Sequence, residues 1–102
     1  MARVIVTAPA DADAGEVLGR IAAEAGVGHA EKFNARFEAL YDRLADHPGS
    51  CRTRPELGPH IRAGVVFPYL VIYRHVDGDK TVSVIRILHG RRKISRSLLR
   101  AR

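Results

Sequence analysis

The hydrophobic pattern of this chain changes its period once, and that change constrains the fold more than any other feature of the sequence. From about Asp13 to Asp46, apolar residues recur every three or four positions, which is the period of an amphipathic helix. After Pro59, apolar and polar residues alternate in runs rich in Val, Ile and Tyr, which is typical of strands. The segment between Pro48 and Pro59 follows neither period and is rich in glycine and proline, which predicts a loop.

The helical region is predicted to be an antiparallel hairpin that follows one short strand. Val4–Val6 is a β-branched run, and Pro9 is expected to mark a turn after it. The first helix is predicted to begin at Asp13, with an acidic residue three positions later completing a capping box. Gly26–Gly28 interrupts the apolar stripe, so a second helix is predicted to run back from there to Asp46.

Two glycines lie inside the first predicted helix, at Gly15 and Gly19. Each costs up to about 1 kcal/mol relative to alanine in a helix interior. We expect the missing side chains to offset this cost by letting the helix pack closely against a neighbour.

Three strands are predicted to follow the loop as an antiparallel meander. They run from Ile61 to Phe67, from Tyr69 to Val76 and from Lys80 to Leu88. Turn signals separate them at Pro68 and at Asp77-Gly78-Asp79. The predicted fold class is therefore α+β, with an N-terminal strand and a helical hairpin packed on an antiparallel sheet.

The middle strand has apolar residues on both of its faces, because side chains alternate across a strand. One face carries Tyr69, Val71, Tyr73 and His75, and the other carries Leu70, Ile72, Arg74 and Val76. We expect the helical hairpin to cover one face and a further molecule to dock on the other.

Length and composition exclude several classes of protein. At 102 residues the chain is long enough for one domain, here residues 1–102, and too short for two. No apolar run approaches the roughly 20 residues of a membrane-spanning helix. Met1–Thr7 is typical of the start of a strand rather than of a signal peptide, so we expect a cytoplasmic protein. Cys51 is the only cysteine and is expected to be inert, and the five histidines have no ligand spacing, so no metal or cofactor is expected.

The positive charge lies in the second half of the chain. Up to Asp46 there are five Lys/Arg against eight Asp/Glu, whereas the remainder carries twelve against three. Residues 91–102 form a basic C-terminal tail without an acid, which is expected to be solvated. This asymmetry favours an acidic partner, either a nucleic acid or an acidic protein segment.

The order of predicted elements and several short motifs resemble the RelE/ParE toxin superfamily, and more closely its ParE branch. The resemblance extends from Arg3 to about Ile94, and the ParE branch commonly has an acid where this chain has Lys93. In chain order, the motifs are Pro48-Gly49, Glu56-Leu57-Gly58, Arg62, Tyr69, Tyr73-Arg74 and His89-Gly90-Arg91-Arg92. The resemblance implies a type II toxin that is neutralised by a cognate, ParD-like antitoxin in a hetero-oligomer, with DNA gyrase as its target.

The resemblance also offers an alternative, because RelE-type members are ribosome-dependent mRNA endonucleases. Aligned on the shared motifs, Leu70 stands where RelE-type toxins have a central-strand arginine, and Ile61 and Ala63 stand where they have lysines. Leu98 lies near the position of their tail tyrosine, so only Arg92 matches the usual set. Cleavage through the 2′-hydroxyl needs a base, an acid and cations for the phosphorane. We therefore expect no catalytic residues and no enzymatic activity.

The candidate binding residues fall into two groups. Tyr69, Arg74 and Arg86 are candidates for antitoxin binding, because an arginine fork suits bidentate carboxylate contacts. Ion-paired arginines and a core tyrosine are the structural alternatives, and Tyr73 is expected to be a core residue. The candidates for target binding lie at the end of the last strand and in the tail: His89, Arg91, Arg92, Lys93 and Arg96.

Three functions thus stay open at this point, and they belong to different classes. The first is a gyrase-directed toxin, and the second is a ribosome-dependent endonuclease that uses His89, Arg91 and Arg92 in an atypical site. The third is a basic RNA-binding module, which is disfavoured because Tyr69 and Tyr73 alone make a poor base-stacking platform. Direct binding of nucleic acid is left open.

Overall fold

A computed structural model describes residues 1–99 of the chain; residues 100–102, the end of the predicted basic tail, lie outside the described part. No helix in this part is long and apolar enough to cross a membrane. The elements in chain order are β1 (Arg3–Val6), α1 (Ala8–Ala25), α2 (Val27–Asp46), β2 (Arg52–Thr53), a 3₁₀ turn (Pro55–Leu57), β3 (Ile61–Val66), β4 (Tyr69–Arg74), β5 (Thr81–His89) and α3 (Arg96–Leu99).

The strands form one five-stranded sheet in the order β1-β5-β4-β3-β2. The predicted meander is confirmed, because β3 pairs antiparallel with β4 and β4 antiparallel with β5. The sheet as a whole is mixed, since β1 lies parallel to β5. This parallel pairing follows from a long crossover, because the hairpin and the meander separate β1 from β5 along the chain. The predicted loop also contains the two-residue strand β2, which pairs with β3.

The first helix begins five residues earlier than the sequence predicted, and Pro9 lies in its first turn. Proline is compatible with this position because the first-turn N–H groups have no partner inside the helix. The chain enters α1 directly from β1, and Thr7 Oγ1 donates a hydrogen bond to Val84 O at 2.8 Å. The predicted capping role of Asp13 is therefore wrong, because Asp13 lies inside the helix.

The helical hairpin covers one face of the sheet and buries the main core. Phe37, Leu40 and Leu44 of α2 are almost fully buried there. The sheet contributes Val71, Tyr73, Val82 and Val84 to the same cluster. At Gly64 the helix comes so close that a Cβ would lie 3.0 Å from Leu40 Cδ2, so only glycine fits without movement.

The opposite face of the sheet is covered by the C-terminal segment of the chain itself. Leu57, Ile61, Ala63 and Ile72 form a second buried cluster on this face. The side chains that pack against the cluster are Leu70, Ile85, Ile94 and Leu99. The prediction of a solvated tail is thus wrong for Ile94 and Leu99, whose apolar side chains help to cover a sheet that is apolar on both faces. Ser95, Arg96 and Ser97 between them are exposed, as predicted.

Three hydrogen bonds from Tyr73 and Arg62 fix the loop that precedes β3. The hydroxyl of the buried Tyr73 donates to Pro48 O at 2.7 Å. Arg62 Nη1 donates to Cys51 O at 2.7 Å and to Gly49 O at 3.1 Å. The motif residues Pro48-Gly49, Arg62 and Tyr73 therefore hold the loop in place, and Tyr73 is the core residue that the sequence predicted.

The expectation that Gly15 and Gly19 permit close packing is wrong. Both glycines are exposed, and a Cβ built on either would meet no atom within 4 Å. They therefore keep the cost of glycine in a helix without the packing benefit.

Replacement of either glycine by alanine should stabilise the protein. For Gly15→Ala and for Gly19→Ala we expect the free energy of unfolding to rise by up to about 1 kcal/mol each, because alanine restricts the unfolded chain and fits the helix. Denaturant unfolding monitored by circular dichroism measures the change.

Gly26→Ala is the matched control, since Gly26 is also open to solvent but has a φ of 96°. An L-residue in that conformation is strained by about 1 kcal/mol or more. The control should destabilise the protein, and a loss of stability in Gly15→Ala would contradict the account of this helix.

Candidate functional site

An apolar groove lies at the end of the sheet where β3 turns into β4. Its volume is about 660 Å³. Phe67 is 74% exposed and Val65 is 61% exposed, although both are large hydrophobic residues. The groove is lined by Val65, Phe67, Pro68, Tyr69, Leu70, His89, Gly90 and Arg91. Exposed apolar patches of this kind typically mark interaction sites.

The groove lies beside an open sheet edge. β2 pairs with β3 only at Arg62 and Ala63, so the pairing ends there. Ile61 O accepts a hydrogen bond from Arg54 N on the β2 side. Because backbone groups of alternate residues point to the same edge, the N–H and C=O of Val65 also point to that side. The edge beyond Ala63 therefore offers both backbone groups and apolar side chains to a partner.

Tyr69 forms the inner wall of the groove and is a core residue as well. It is only 6% exposed. Its ring packs edge-on against Phe33 and His89, with ring centroids 5.9 and 5.6 Å away. Among the predicted candidates for antitoxin binding, Tyr69 thus contributes at most the edge of its ring.

His89 is held in one neutral tautomer by the backbone that follows it. Arg91 N donates a hydrogen bond to His89 Nδ1 at 3.0 Å, so the ring proton of neutral His89 lies on Nε2. In this tautomer His89 offers its Nε2–H as a hydrogen-bond donor.

Arg86 is paired with Asp13 inside the chain, which is the ion-paired alternative that the sequence left open. Arg86 Nε donates to Asp13 Oδ2 at 2.7 Å and Nη2 donates to Asp13 Oδ1 at 3.1 Å. Nη1 donates to Leu98 O at 3.1 Å. The two charged side chains are only 12% and 18% exposed, and the Asp13 hydrogen bond raises the pKa of Arg86 further. Binding of an antitoxin carboxylate by Arg86 would require this pair to break.

The other predicted cations lie on different parts of the surface. Arg74 is exposed at the end of β4 and has no ion pair within residues 1–99. Arg91 lines the groove and Arg92 lines a neighbouring cleft. Lys93 and Arg96 are exposed in the C-terminal segment, the latter at the start of α3. The structure thus brings together Tyr69, His89 and Arg91, and leaves Arg74 apart from them.

The positions that match RelE-type catalytic cations are apolar and mostly buried. Ile61 and Ala63 belong to the second buried cluster, and Leu70 packs against it. Leu98 offers its carbonyl oxygen to Arg86. No group of three potential metal ligands occurs in residues 1–99 either. This face of the sheet is suited to packing rather than to phosphate chemistry.

Sequence reasoning missed the exposed residues of the groove and one cation beside it. Val65 and Phe67 were taken as ordinary strand residues, and Arg20 as part of the first helix. The available signal was a bulky apolar residue next to Pro68 at a turn, where burial is difficult.

Comparison with known proteins gives a consistent family relationship. Residues 4–94 match the family described as ParE toxin of type II toxin-antitoxin system, parDE. Toxin ParE3 of Caulobacter vibrioides is 35% identical over 98 residues, which cover 96% of each chain. Toxin ParE1 of Mycobacterium tuberculosis is 33% identical over 73 residues, covering 72% of this chain and 74% of that one.

Two solved structures share the fold. The chain is similar to a protein of the chromosomal ParDE system from P. aeruginosa, with a TM-score of 0.71, 22% identity and coverage of 87% of this chain and 96% of that one. It is also similar to a chain of the toxin-antitoxin complex RelBE2 from M. tuberculosis, with a TM-score of 0.60, 24% identity and coverage of 86% and 96%.

Removal of the Asp13 carboxylate should destabilise the fold strongly. For Asp13→Ala we expect a loss of about 3 kcal/mol in the free energy of unfolding, because the Arg86 charge would stay buried without its partner. Alanine is the better helix former, so helix propensity alone predicts the opposite sign. Urea unfolding of the purified protein measures the difference.

Glu56→Ala is the matched control for the loss of an ion pair. Arg54 Nε donates a hydrogen bond to Glu56 Oε2 at 2.6 Å, but the Glu56 and Arg54 side chains are 57% and 28% exposed. A surface pair contributes about 1 kcal/mol or less. Equal effects of the two substitutions would contradict the structural role of the Asp13–Arg86 pair.

Proposed function

The chain belongs to the ParE toxin family of type II toxin-antitoxin systems, and from that premise we propose that it inhibits DNA gyrase and is neutralised by a cognate ParD-like antitoxin. The observation that carries the proposal is the family match over residues 4–94, together with a large apolar groove left open on a small protein. A cytoplasmic location is part of the same proposal, since gyrase acts there.

The groove supports the antitoxin partner. A free chain that exposes Phe67 and Val65 beside an unpaired strand edge is suited to hold an apolar segment of another chain. The similar P. aeruginosa protein belongs to a ParDE system, and the similar M. tuberculosis chain to a toxin-antitoxin complex. We propose that an antitoxin segment orders on this surface as it binds, which suits coupled folding and binding.

The absence of mRNA cleavage is proposed on chemical grounds. A developing phosphorane needs cations, and removal of one such group typically costs about 100- to 1,000-fold in rate. Ile61, Ala63 and Leu70 supply none, and Ile94 and Leu99 cover the same face of the sheet. The endonuclease alternative would need this covering segment to move and a different set of cations.

The proposed contact with gyrase, or with the DNA that gyrase holds, is the cationic surface after β5. Arg91, Lys93 and Arg96 are exposed there, and none has an ion pair within the described residues. A positive surface attracts acidic protein or DNA and raises the association rate.

Neutralisation of this surface should reduce gyrase inhibition. In the triple variant with Arg91→Gln, Lys93→Gln and Arg96→Gln, we expect about a 10-fold higher concentration for half-inhibition of supercoiling at low salt. This variant retains Ile94 and Leu99, whereas truncation after Gly90 would uncover the second cluster and perturb the fold. A supercoiling assay with purified gyrase and a programmed-ribosome cleavage assay are run side by side.

The matched control removes three exposed cations elsewhere, with Arg3→Gln, Lys32→Gln and Arg52→Gln. It should inhibit supercoiling nearly as well as the parent protein. Cleaved messenger with normal supercoiling would refute the gyrase proposal and favour the endonuclease.

The groove itself can be tested with the antitoxin encoded beside the toxin gene. Phe67→Ser should weaken that complex by about 2 kcal/mol, the scale of an interface hot spot, because an apolar anchor is lost. Phe67 is mostly exposed, so the fold should be unaffected. Isothermal titration calorimetry measures the affinity, and Val27→Ser, which removes another exposed apolar side chain from the start of α2, is the control. An unchanged affinity of Phe67→Ser would place the antitoxin elsewhere.

A further inference from the structure

A second, polar cleft adjoins the groove where α1 crosses the end of β5. Its volume is about 220 Å³, which suits a small charged group rather than a large apolar one. It is lined by Asp13, Glu16, Val17, Arg20, Tyr69, Ile87, Leu88, His89 and Arg92. The cleft contains two of the chain's arginines that take no part in the salt bridges of residues 1–99, namely Arg20 and Arg92.

Two guanidinium groups line the cleft, and the carboxylates around it offset them only in part. Asp13 is neutralised by its bidentate pair with Arg86. Glu16 in the cleft and Glu24, one turn further along α1, both act on Arg20, whereas Arg92 has no ion pair within residues 1–99. An anionic group is therefore attracted mainly by Arg92, with Arg20 beside it.

The donors in the cleft lie close together. The Tyr69 phenol is the largest influence on the exposed Arg20 and raises the pKa of that guanidinium. His89 carries its ring proton on Nε2, because Nδ1 is occupied by Arg91 N. Arg92 N donates to His89 O at 2.9 Å, which fixes the backbone from which its side chain starts. An arginine fork beside hydroxyl and imidazole donors matches the geometry of a carboxylate.

The cleft and the apolar groove are adjacent. Tyr69 and His89 line both of them, and their rings, which meet edge to face with centroids 5.6 Å apart, separate the two. A ligand that extends past these rings therefore reaches both. An apolar side chain fits the groove beside Phe67, and an anionic group fits the cleft between Arg20 and Arg92.

We propose that the groove and the cleft together bind a peptide segment in which a hydrophobic side chain occupies the groove and an Asp or Glu carboxylate occupies the cleft between Arg20 and Arg92. A phosphodiester carries the same single charge, but a nucleic-acid strand offers no aliphatic side chain for the groove, so the peptide is favoured. The inference rests on the proposed function, because it describes the chemistry of the antitoxin segment.

Selection of peptides that bind the intact protein tests the site formed by the groove and the cleft, and it needs no knowledge of the antitoxin. Random 12-residue peptides displayed on phage are selected on the immobilised full chain. Enriched sequences should carry Asp or Glu within about four residues of Leu, Ile, Val or Phe, which matches two adjoining subsites. Enrichment of sequences without acidic residues would overturn the proposal.

A double-mutant cycle then locates the carboxylate. The most enriched peptide is synthesised with its acid and with the corresponding amide, and both are titrated by fluorescence anisotropy. Arg20→Gln together with Arg92→Gln should weaken binding of the acidic peptide at least 10-fold. The acid-to-amide change in the peptide should also weaken binding to the parent protein about 10-fold. In the double variant the same change should weaken binding by less than 2-fold, because the contact between the carboxylate and the two arginines is already lost.

The control variant, Arg3→Gln with Arg52→Gln, makes the same change in net charge elsewhere on the surface. Loss of affinity equal to that of the cleft variant would show a general electrostatic effect and overturn the site. Circular dichroism and the thermal midpoint verify the fold of each variant. If the cleft variant unfolds, the variant with Arg20→Lys and Arg92→Lys replaces it. The amide peptide must in any case bind the parent protein more weakly than the acidic peptide does.

Two further measurements separate this inference from its premise and from the nucleic-acid alternative. The first measurement titrates a labelled 12-nucleotide single strand against the parent protein and the cleft variant. The peptide proposal would be overturned if the strand lost affinity in the cleft variant and the selected peptides showed no preference for acidic residues. The second measurement is gyrase inhibition in the supercoiling assay. If the protein fails to inhibit gyrase while the double-mutant cycle gives the expected result, only the proposed target is refuted.

Discussion

The pair between Asp13 and Arg86 is the interaction on which the arrangement of the elements depends. β1 pairs with β5 only up to Val84, so beyond that residue β5 has β4 on one side and no strand on the other. Asp13 of α1 lies against that open side of β5. Its Oδ2 accepts hydrogen bonds from Ile87 N at 2.9 Å and from Arg86 Nε at 2.7 Å. Arg86 reaches Leu98 O in turn. One ion pair therefore joins the first helix, the last strand and the C-terminal segment.

The consequence is that the sheet is closed on both faces and open at one corner. The hairpin covers one face, and the C-terminal segment covers the other through Ile94 and Leu99. Phe67 and Val65 form an exposed apolar patch at that corner, beside the free edge of β3. The proposed docking surface thus lies outside the buried core. The same covering places Ile94 and Leu99 over the cluster that contains Ile61 and Ala63.

Much of the fold was predictable because its signals are local. The order of elements, the hairpin and the meander followed from the change of hydrophobic period at Pro48–Pro59 and from turn residues. Tyr73 was correctly placed in the core by strand alternation. The start of α1 was not predictable from Pro9, because proline marks either a turn or a first helical turn. The prediction for Gly15 failed because exposure of a helix face depends on what lies against it.

The sequence by itself determined the fold class, the family and the absence of the usual cleavage cations at Ile61, Ala63 and Leu70. These depend on residue identity and periodicity along the chain. Only the tertiary structure decided that Arg86 is neutralised within the chain while Arg20 and Arg92 meet in one cleft. The reason is physical: the ionic partner of a side chain is set by distance in space, and Asp13 and Arg86 are separated by 73 positions along the chain. Local pattern carries no record of such a contact.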